Sequence, residues 1–166
     1  SDVCSSDLSD DHHEHKFDWS TPLHVASYSG NTEIVKLLLK RGANIELRAN
    51  QNETPLLVAC SQGHYDIVKI LCNAGANIHV VDVLGENGLY KISDCISIIN
   101  QNQYFDIAKL LLDRGVDPNL RNIDGYTPLE LVCNLISGSS PHLTKFEEIA
   151  EMIRQKQHTH WCCWWC

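Results

Sequence analysis

Apolar residues in this chain fall into pairs of short blocks that are separated by turns containing glycine. In the first pair, one block begins at Pro22 and stops before Gly30. The other block carries an apolar stripe at Ile34, Leu37 and Leu38. Spacings of three and four residues are typical of one face of an α-helix. The pattern therefore predicts a helix, a turn and a second helix.

Residues that start and stop helices flank these blocks. Thr21 precedes Pro22, which places a hydroxyl at the N-cap and proline at the first helical position. Asn31 or Thr32 is placed to cap the second helix. Gly42 suits the left-handed position that ends a helix, and an extended stretch then leads to the next unit.

The same pattern returns after 33 residues, after another 33 and then after 40. Its opening tripeptides are Thr21-Pro22-Leu23, Thr54-Pro55-Leu56, Asn87-Gly88-Leu89 and Thr127-Pro128-Leu129. A self-match at such a period is the signature of a stacked repeat architecture. The predicted units span about 18–50, 51–83, 84–123 and 124–154.

The first unit resembles the ankyrin repeat. The residues that carry the resemblance are Thr21-Pro22-Leu23-His24, Gly30, the run from Ile34 to Leu39, and Gly42-Ala43-Asn44. The second unit repeats them with Leu57 in place of the histidine. The resemblance covers about residues 18–153. It implies an all-α fold, an α-solenoid of stacked helix-turn-helix units with hairpin-like loops.

The resemblance also implies how the units pack. Stacking buries the leucine at one shared position, which is occupied by Leu23, Leu56, Leu89 and Leu129. The histidine of this family, here His24, commonly bridges repeats by hydrogen bonds. The second unit has predicted neighbours on both sides, so we expect it to be the best buried.

The third unit is longer and lacks the usual helix start. Asn87-Gly88 replaces Thr-Pro, which predicts a weaker start for its first helix. An apolar stripe continues through Ile96 and Ile99, so we expect a longer first helix. A polar turn should follow at residues 100–103, and a looped-out insertion is the alternative.

The fourth unit predicts a first helix to about Ile136, a loop over residues 137–141, and a second helix through Ile153. Thr144 with Glu147 fits a capping box at the start of that second helix. After Arg154 the pattern stops, and residues 155–166 form an atypical tail rich in Cys and Trp. We interpret this tail as translated non-native sequence, with zinc binding and lipidation as the competing interpretations.

The other end of the chain is also atypical. Residues 1–17 are predicted to be a disordered or artefactual tail, because residues 1–8 match one reading frame of a common sequencing adapter. Residues 10–15 form a short Asp/His-rich tract, which is a weak signal for metal binding. Within the repeats, Cys60, Cys72, Cys95 and Cys133 lie in apolar patterns typical of buried free thiols.

Composition narrows the class of function. The chain is 43% hydrophobic with a net charge of −8, so it lacks the basic surface that nucleic-acid binding requires. No apolar run is long enough for membrane insertion, and the acidic N-terminus is not typical of a signal peptide. Free thiols suit a reducing compartment, so we expect a cytoplasmic or other intracellular location.

The resemblance implies binding without catalysis, and no catalytic, cofactor or metal site is predicted. Proteins with this repeat usually contact protein partners through a concave side, made of loop tips and the exposed face of the first helices. The candidate partner-binding residues, carried over by register, are Trp19, Tyr28, Ser29, Gln51, Glu53, Gln62, Leu84, Glu86, Asp124 and Tyr126. Exposed Trp and Tyr anchor many interfaces, so Trp19, Tyr28 and Tyr126 lead this set.

We therefore predict a monomeric, non-catalytic module that binds a protein partner. One alternative is a regulatory or targeting segment of a larger enzyme or channel. Another is a metal-binding protein that uses the His and Cys residues near the two ends of the chain.

Overall fold

The computed structural model describes residues 21–94, 101–137 and 144–162. All regular secondary structure in these ranges is helical. Its main helices are α1 (Pro22–Tyr28), α2 (Thr32–Lys40), α3 (Pro55–Ser61), α4 (Tyr65–Asn73), α5 (Gly88–Asp94), α6 (Gln101–Asp113), α7 (Pro128–Ser137) and α8 (Thr144–Cys162). This confirms the all-α fold and its order of paired helices.

The helices form two stacked layers. Helices α1, α3, α5 and α7 contact one another in sequence, and so do α2, α4, α6 and α8. Within each repeat the two helices also contact each other. Each repeat therefore packs mainly on its neighbours, as in a solenoid whose stability is a sum over repeats and their interfaces.

The core lies between the layers and between successive repeats. Leu23, Leu56 and Leu89 are buried at their shared position, as predicted. Leu129 is only half-buried, so the prediction is wrong there, because no described helix packs beyond α7 in its layer. All six residues from Pro55 to Cys60 are buried, and so are all five from Gly88 to Ile92, so the two inner first helices α3 and α5 are both enclosed.

Side chains cap the helices at the predicted places. Thr21 Oγ1 lies 2.8 Å from His24 Nδ1, and the Asn31 side chain accepts a hydrogen bond from Ile34 N at 3.1 Å. At α5 the Asn87 side chain accepts from Leu89 N at 3.0 Å. The amide oxygen thus replaces the missing hydroxyl, which offsets the weaker helix start that the sequence predicts.

The insertion in the third unit lengthens its second helix. Helix α6 begins at Gln101, so the polar turn predicted over residues 100–103 is wrong for residues 101–103. Tyr104 is buried on α6 with its ring against Gly63, as the His64 ring lies against Gly30 one repeat earlier. The longer first helix predicted after Asp94 falls on residues 95–100, which lie outside the described residues.

Helix α8 also differs from its prediction. It continues beyond Ile153 to Cys162 without a break at Arg154. The extension contacts the end of α6 and the loop that follows it, because Lys156 Nζ lies 3.3 Å from Asp113 Oδ1 and Gln157 Nε2 donates to Pro118 O at 3.2 Å. The interpretation of residues 155–166 as non-native sequence stays a prediction.

Candidate protein-interaction surface

The tips of successive loops lie side by side and are hydrogen-bonded through their backbones. Val83 N donates to Gln51 O at 3.0 Å, and Ile123 N donates to Leu84 O at 2.9 Å. Val83 and Ile123 occupy equivalent positions, and so do Gln51 and Leu84, so both pairs of neighbouring loops are joined by the same hydrogen bond. The loops of the second, third and fourth repeats therefore present one continuous row of tip residues.

The last two loops are shaped by one buried polar side chain each. Asp82 Oδ1 accepts from Leu84 N at 2.8 Å and Glu86 N at 3.0 Å. Asn122 Oδ1 does the same for Asp124 N at 3.2 Å and Tyr126 N at 3.0 Å. A short polar side chain that accepts from amides further along the chain fixes a tight turn.

The loop of the second repeat has a different construction. Gln51 and Asn52 both have left-handed backbones, with φ of 59° and 63°. Glu53 N donates to Asn50 O at 3.4 Å across them, so these residues form a turn of the I′ type, for which glycine is favoured. Arg48 Nη1 holds the turn by donating to Asn52 O at 2.9 Å and to Val81 O at 2.8 Å.

The row of tip residues changes from polar to apolar along the stack. Gln51 is exposed at its polar end. Beyond it, Val83 is 57% exposed and Ile123 is 68% exposed, and Leu84 and Tyr126 are also exposed. We call Gln51, Val83, Leu84, Ile123, Asp124 and Tyr126 the loop-tip surface. Adjacent exposed apolar side chains on ordered loops are the feature that marks interaction sites.

A buried charge cluster lies behind the loop-tip surface. Lys91 Nζ is 2.7 Å from Asp82 Oδ2, 3.1 Å from Glu53 Oε1 and 3.9 Å from Glu86 Oε2. Burial lowers the pKa of Lys91, but the hydrogen bond to Asp82 and the charge of Glu53 outweigh it, so its pKa is raised. The ammonium is therefore charged and links the loops of the second and third repeats.

Two other side chains link repeats at equivalent positions. His24 Nε2 lies 3.1 Å from Glu53 O, which confirms the bridge implied for this histidine. Two repeats later, Tyr90 occupies the place of His24, and its hydroxyl lies 2.5 Å from Tyr126 O. Glu53 and Tyr126 occupy equivalent places in their repeats. The histidine and the tyrosine therefore each hydrogen-bond to the equivalent backbone carbonyl of the next loop.

A family model described as ankyrin repeats (three copies) matches residues 4–82, and an ankyrin repeat model matches residues 95–123. Together the matches span more than half of the chain. The chain belongs to the ankyrin repeat family. The first match begins at residue 4, inside the segment for which the sequence predicts a tail.

The ankyrin fold exposes some of the predicted contact residues. Gln51, Leu84, Asp124 and Tyr126 are exposed on the loop-tip surface, and Ser29 is exposed at the end of α1. Trp19 lies outside the described residues.

The remaining predicted residues are less available. Tyr28 and Gln62 are half-buried beside the turns between paired helices, away from the loop tips. Glu53 is half-buried and paired with Lys91. Glu86 is buried and accepts a hydrogen bond from Asn122 Nδ2 at 3.1 Å, so its side chain is not available to a partner. We leave Glu86 out of the proposed surface because its charge is used inside the protein.

Sequence reasoning missed the polar residues that support the ankyrin loops. Tyr90, Lys91, Asp82 and Asn122 are all buried, although their types usually lie at the surface. One available signal was the register, because Lys91 takes the place of the apolar Val58. The thiols behave as predicted at Cys60 and Cys72, which are buried, whereas Cys133 is half-buried. Burial raises the pKa of both buried thiols.

A shallow cleft lies next to the loop-tip surface at the last ankyrin repeat. Its volume is about 500 Å³, and its lining residues are Arg121, Gly125, Tyr126, Leu129, Glu130 and Cys133. Hydrogen bonds from Thr127 hold the pKa of Glu130 below its ordinary value. Its carboxylate is therefore charged, and it lies 3.3 Å from Arg121 Nη1. The cleft offers apolar contacts beside a charged pair.

The described ranges contain neither a membrane-spanning helix nor a metal-binding cluster. No helix in them is both long and apolar enough to cross a membrane. No group of three or more His, Cys, Asp or Glu residues in them is arranged to hold a metal ion. The His and Cys residues of the two tails belong to segments whose side chains the structure does not describe, so that alternative stays a prediction.

Proposed function

We propose that this protein is a non-catalytic module that binds a partner protein through the loop-tip surface. The proposal rests on one observation, the exposed apolar row of Val83, Leu84 and Ile123 on hydrogen-bonded loops. Burying such side chains against a partner is favourable, at about 25 cal/mol per Å² of apolar surface. Ankyrin repeats are generally protein-interaction modules, which agrees with this role.

The supports behind the loops favour binding with little rearrangement. The Lys91 cluster, the Tyr90 bridge and the backbone bonds between tips hold the row in one arrangement. Binding of a partner therefore costs little free energy for ordering the loops. Tyr126 is the expected anchor, because its ring is exposed between the apolar row and the cleft.

The chemistry of the row defines the kind of partner. The complementary surface carries apolar side chains opposite Val83 and Ile123, and hydrogen-bonding groups opposite Gln51 at the other end. Asp124 favours a cationic group nearby. The net charge of −8 disfavours nucleic acid. We further propose that the module acts as an intracellular, cytoplasmic scaffold or adaptor and binds as a monomer.

The test compares loop-tip variants with a variant on the other layer. The full chain, Ile123→Ser and Tyr126→Ala are used to capture proteins from cell extract, and a captured partner is then titrated by calorimetry. Each loop-tip change should weaken binding by about tenfold or more, as expected for interface anchors. Unfolding in urea should show nearly unchanged stability, because both side chains are exposed.

The matched control is Lys69→Ser, an exposed position on α4. It should bind as the parent chain does. If Ile123→Ser and Tyr126→Ala bind as tightly as Lys69→Ser while remaining folded, the loop-tip surface is not the binding site. If Tyr126→Ala instead unfolds the domain, its assignment as an anchor is wrong.

A further inference from the structure

The carboxylate of Glu130 has one oxygen that makes no contact within the described residues. Its Oε2 accepts a hydrogen bond from Thr127 N at 2.7 Å and lies 3.3 Å from Arg121 Nη1. Its Oε1 has no hydrogen-bond partner among the residues that the structure describes. The side chain is exposed and lines the cleft of the last repeat. Glu130 therefore caps its own helix with one oxygen and keeps the other available at the cleft.

The equivalent side chains show what this position does in other repeats. His24, Tyr90 and Glu130 occupy one shared position in the first, third and fourth repeats. One ring nitrogen of His24 caps α1, and the other lies 3.1 Å from Glu53 O in the next repeat. The Tyr90 hydroxyl donates to Tyr126 O in the same way. An ionised carboxylate only accepts hydrogen bonds, so Glu130 would repel such a loop carbonyl and suits a donor instead.

Arg121, the cation of the cleft, has a role inside the protein. Its Nη1 donates to Gly125 O within the last loop. Arg48 Nη1 donates to Asn52 O at the equivalent place in the loop of the second repeat. Arg121 therefore holds its loop as Arg48 does, and its contact with Glu130 involves Oε2 only.

Tyr126 and Asp124 extend the site beside Glu130. The Tyr126 ring is exposed and lines the cleft, and its backbone N–H and C=O are both hydrogen-bonded, so a fixed loop presents the ring. Asp124 is also exposed, and its carboxylate has no hydrogen-bond partner among the described residues. From Arg121 to Cys133 the sequence has two carboxylates and one cation. This end of the loop-tip surface is therefore net negative and carries an exposed aromatic ring.

We propose that the cleft binds an arginine side chain of the partner protein, stacked on the Tyr126 ring and hydrogen-bonded to Glu130 Oε1. This inference rests on the proposed function, because it assigns one side chain of the same partner. A guanidinium is planar, donates several hydrogen bonds in a fixed geometry and stacks on aromatic rings. The aliphatic stem of arginine packs against Leu129, and Asp124 adds attraction for the charge. Lysine is a compact, strongly hydrated cation without a planar face, so it fits this site less well.

The test titrates the full chain with small probes and follows its backbone amide signals by NMR. The probes are N-acetyl-arginine methylamide, its lysine analogue and its citrulline analogue, which has the shape of arginine without the charge. The arginine probe should cause saturable shifts at Gly125, Tyr126 and Leu129. The lysine probe should bind about threefold more weakly or worse, and the citrulline probe should cause no saturable shift.

Two substitutions assign the binding to the proposed groups. Glu130→Gln keeps an acceptor for Thr127 N, because glutamine also fits a capping box, but it removes the charge. It should weaken binding of the arginine probe by about two- to fivefold, as expected for an exposed ion pair. Tyr126→Ala should weaken binding by about twofold or more, because the stacked ring is lost. The matched control is Glu33→Gln on α2, an exposed glutamate that pairs with Lys36, and it should leave binding unchanged.

Several results would overturn the proposal. They are an absence of saturable shifts with the arginine probe, equal binding of the lysine probe, and unchanged arginine binding by Glu130→Gln. Tighter binding of N-acetyl-glutamate methylamide at the same signals would make Arg121 the recognising group, which also contradicts the proposal. Shifts around Glu33 as large as those at the cleft would show nonspecific attraction to carboxylates.

The result is separable from the test of the proposed function. Ile123→Ser should weaken binding of the captured partner but leave binding of the arginine probe unchanged, because the probe occupies only the cleft. If the arginine probe fails to bind while Ile123→Ser still weakens the partner, the arginine assignment is wrong and the loop-tip surface remains the binding site. If the probe binds and Ile123→Ser has no effect on the partner, the loop-tip assignment is wrong instead.

Discussion

The hydroxyl of Tyr90 lies 2.5 Å from the backbone oxygen of Tyr126, in the next repeat. It is also 2.6 Å from Leu120 O, so the single hydrogen of a buried phenol is shared between two carbonyl oxygens at the base of the last loop. Burial raises the pKa of Tyr90 to about 12, so the hydroxyl stays protonated and remains a donor at neutral pH. Tyr90 thus supports, together with Asn122, the loop that presents Tyr126.

Tyr90→Phe should lower the free energy of unfolding by about 0.5–1.5 kcal/mol, because Tyr126 O and Leu120 O lose the hydroxyl hydrogen that they share. Urea unfolding followed by circular dichroism measures the change. Tyr65→Phe is the matched control, since Tyr65 is half-buried and its ring lies beneath Lys69, so a change of less than about 0.5 kcal/mol is expected. Equal losses for both variants would refute the bridging role of Tyr90.

Lys91→Met should lower the free energy of unfolding by about 3–5 kcal/mol at pH 7, because Asp82 and its neighbouring carboxylates lose their buried cation. Adding Asp82→Asn to Lys91→Met should recover part of the loss. The exposed Lys69→Met is the control and should be nearly neutral. A double variant that is less stable than Lys91→Met would show that repulsion among the carboxylates is not the cause.

We expect the folded protein to lose stability in mild acid because of His24. Burial lowers its pKa below the ordinary value of 6.5, and Thr21 N donates to Nδ1 at 3.3 Å, which requires the neutral ring. The unfolded chain therefore binds a proton more readily than the folded chain. Stability is fully present above about pH 6.5 and falls as the pH drops below that value.

The contribution of His24 is measured by comparing the unfolding midpoints of the parent chain and His24→Leu at several pH values between 5 and 8. Leucine is the residue that the second repeat carries at this position, Leu57. The variant should lose stability at pH 8 and show a flatter profile in acid. Parallel profiles for the two chains would exclude His24 as the source.

Gln51→Gly should raise the free energy of unfolding by about 0.5–1 kcal/mol, because a left-handed backbone is strained for residues with a side chain. Urea unfolding measures the gain. The matched control is Gln62→Gly, where φ is −89° and glycine should instead be destabilising by a similar amount. A loss of stability at both positions would mean that the Gln51 side chain contributes contacts that offset the strain.

Leu56→Ala should cost about 2–5 kcal/mol, because the side chain is buried between the first and third repeats. Leu129→Ala, at the equivalent place in the last repeat, should cost less because Leu129 is half-buried. The comparison is made by urea unfolding under identical conditions. A larger loss for Leu129→Ala would place the stability maximum in the last repeat rather than the second.

The sequence was sufficient for the architecture because local signals repeat. Thr21-Pro22 and Gly42 mark helix ends, and the apolar spacing of Ile34 and Leu38 marks one helix face. These signals act within a few residues, so they predict the helices correctly wherever the repeat period is regular. They were less reliable in the third unit, where α6 begins at Gln101, inside the predicted polar turn.

The residues of the proposed loop-tip surface could be predicted only in part from the sequence. Register placed Leu84, Asp124 and Tyr126 on the loops, and the structure exposes them. The same register also selected Glu86, which is buried. A residue type and a loop position do not reveal whether a neighbouring repeat supplies Asn122 as a partner.

The amino-acid sequence by itself therefore determined the repeat pattern, the order of the helices and most of the core. The reason is that periodic apolar positions and helix caps depend on nearby residues. The tertiary structure decided which polar residues are buried and how the loop tips align. Those features depend on contacts between residues about 30 to 40 positions apart, such as Tyr90 with Tyr126. Such contacts form only when repeats stack, so no local pattern specifies them.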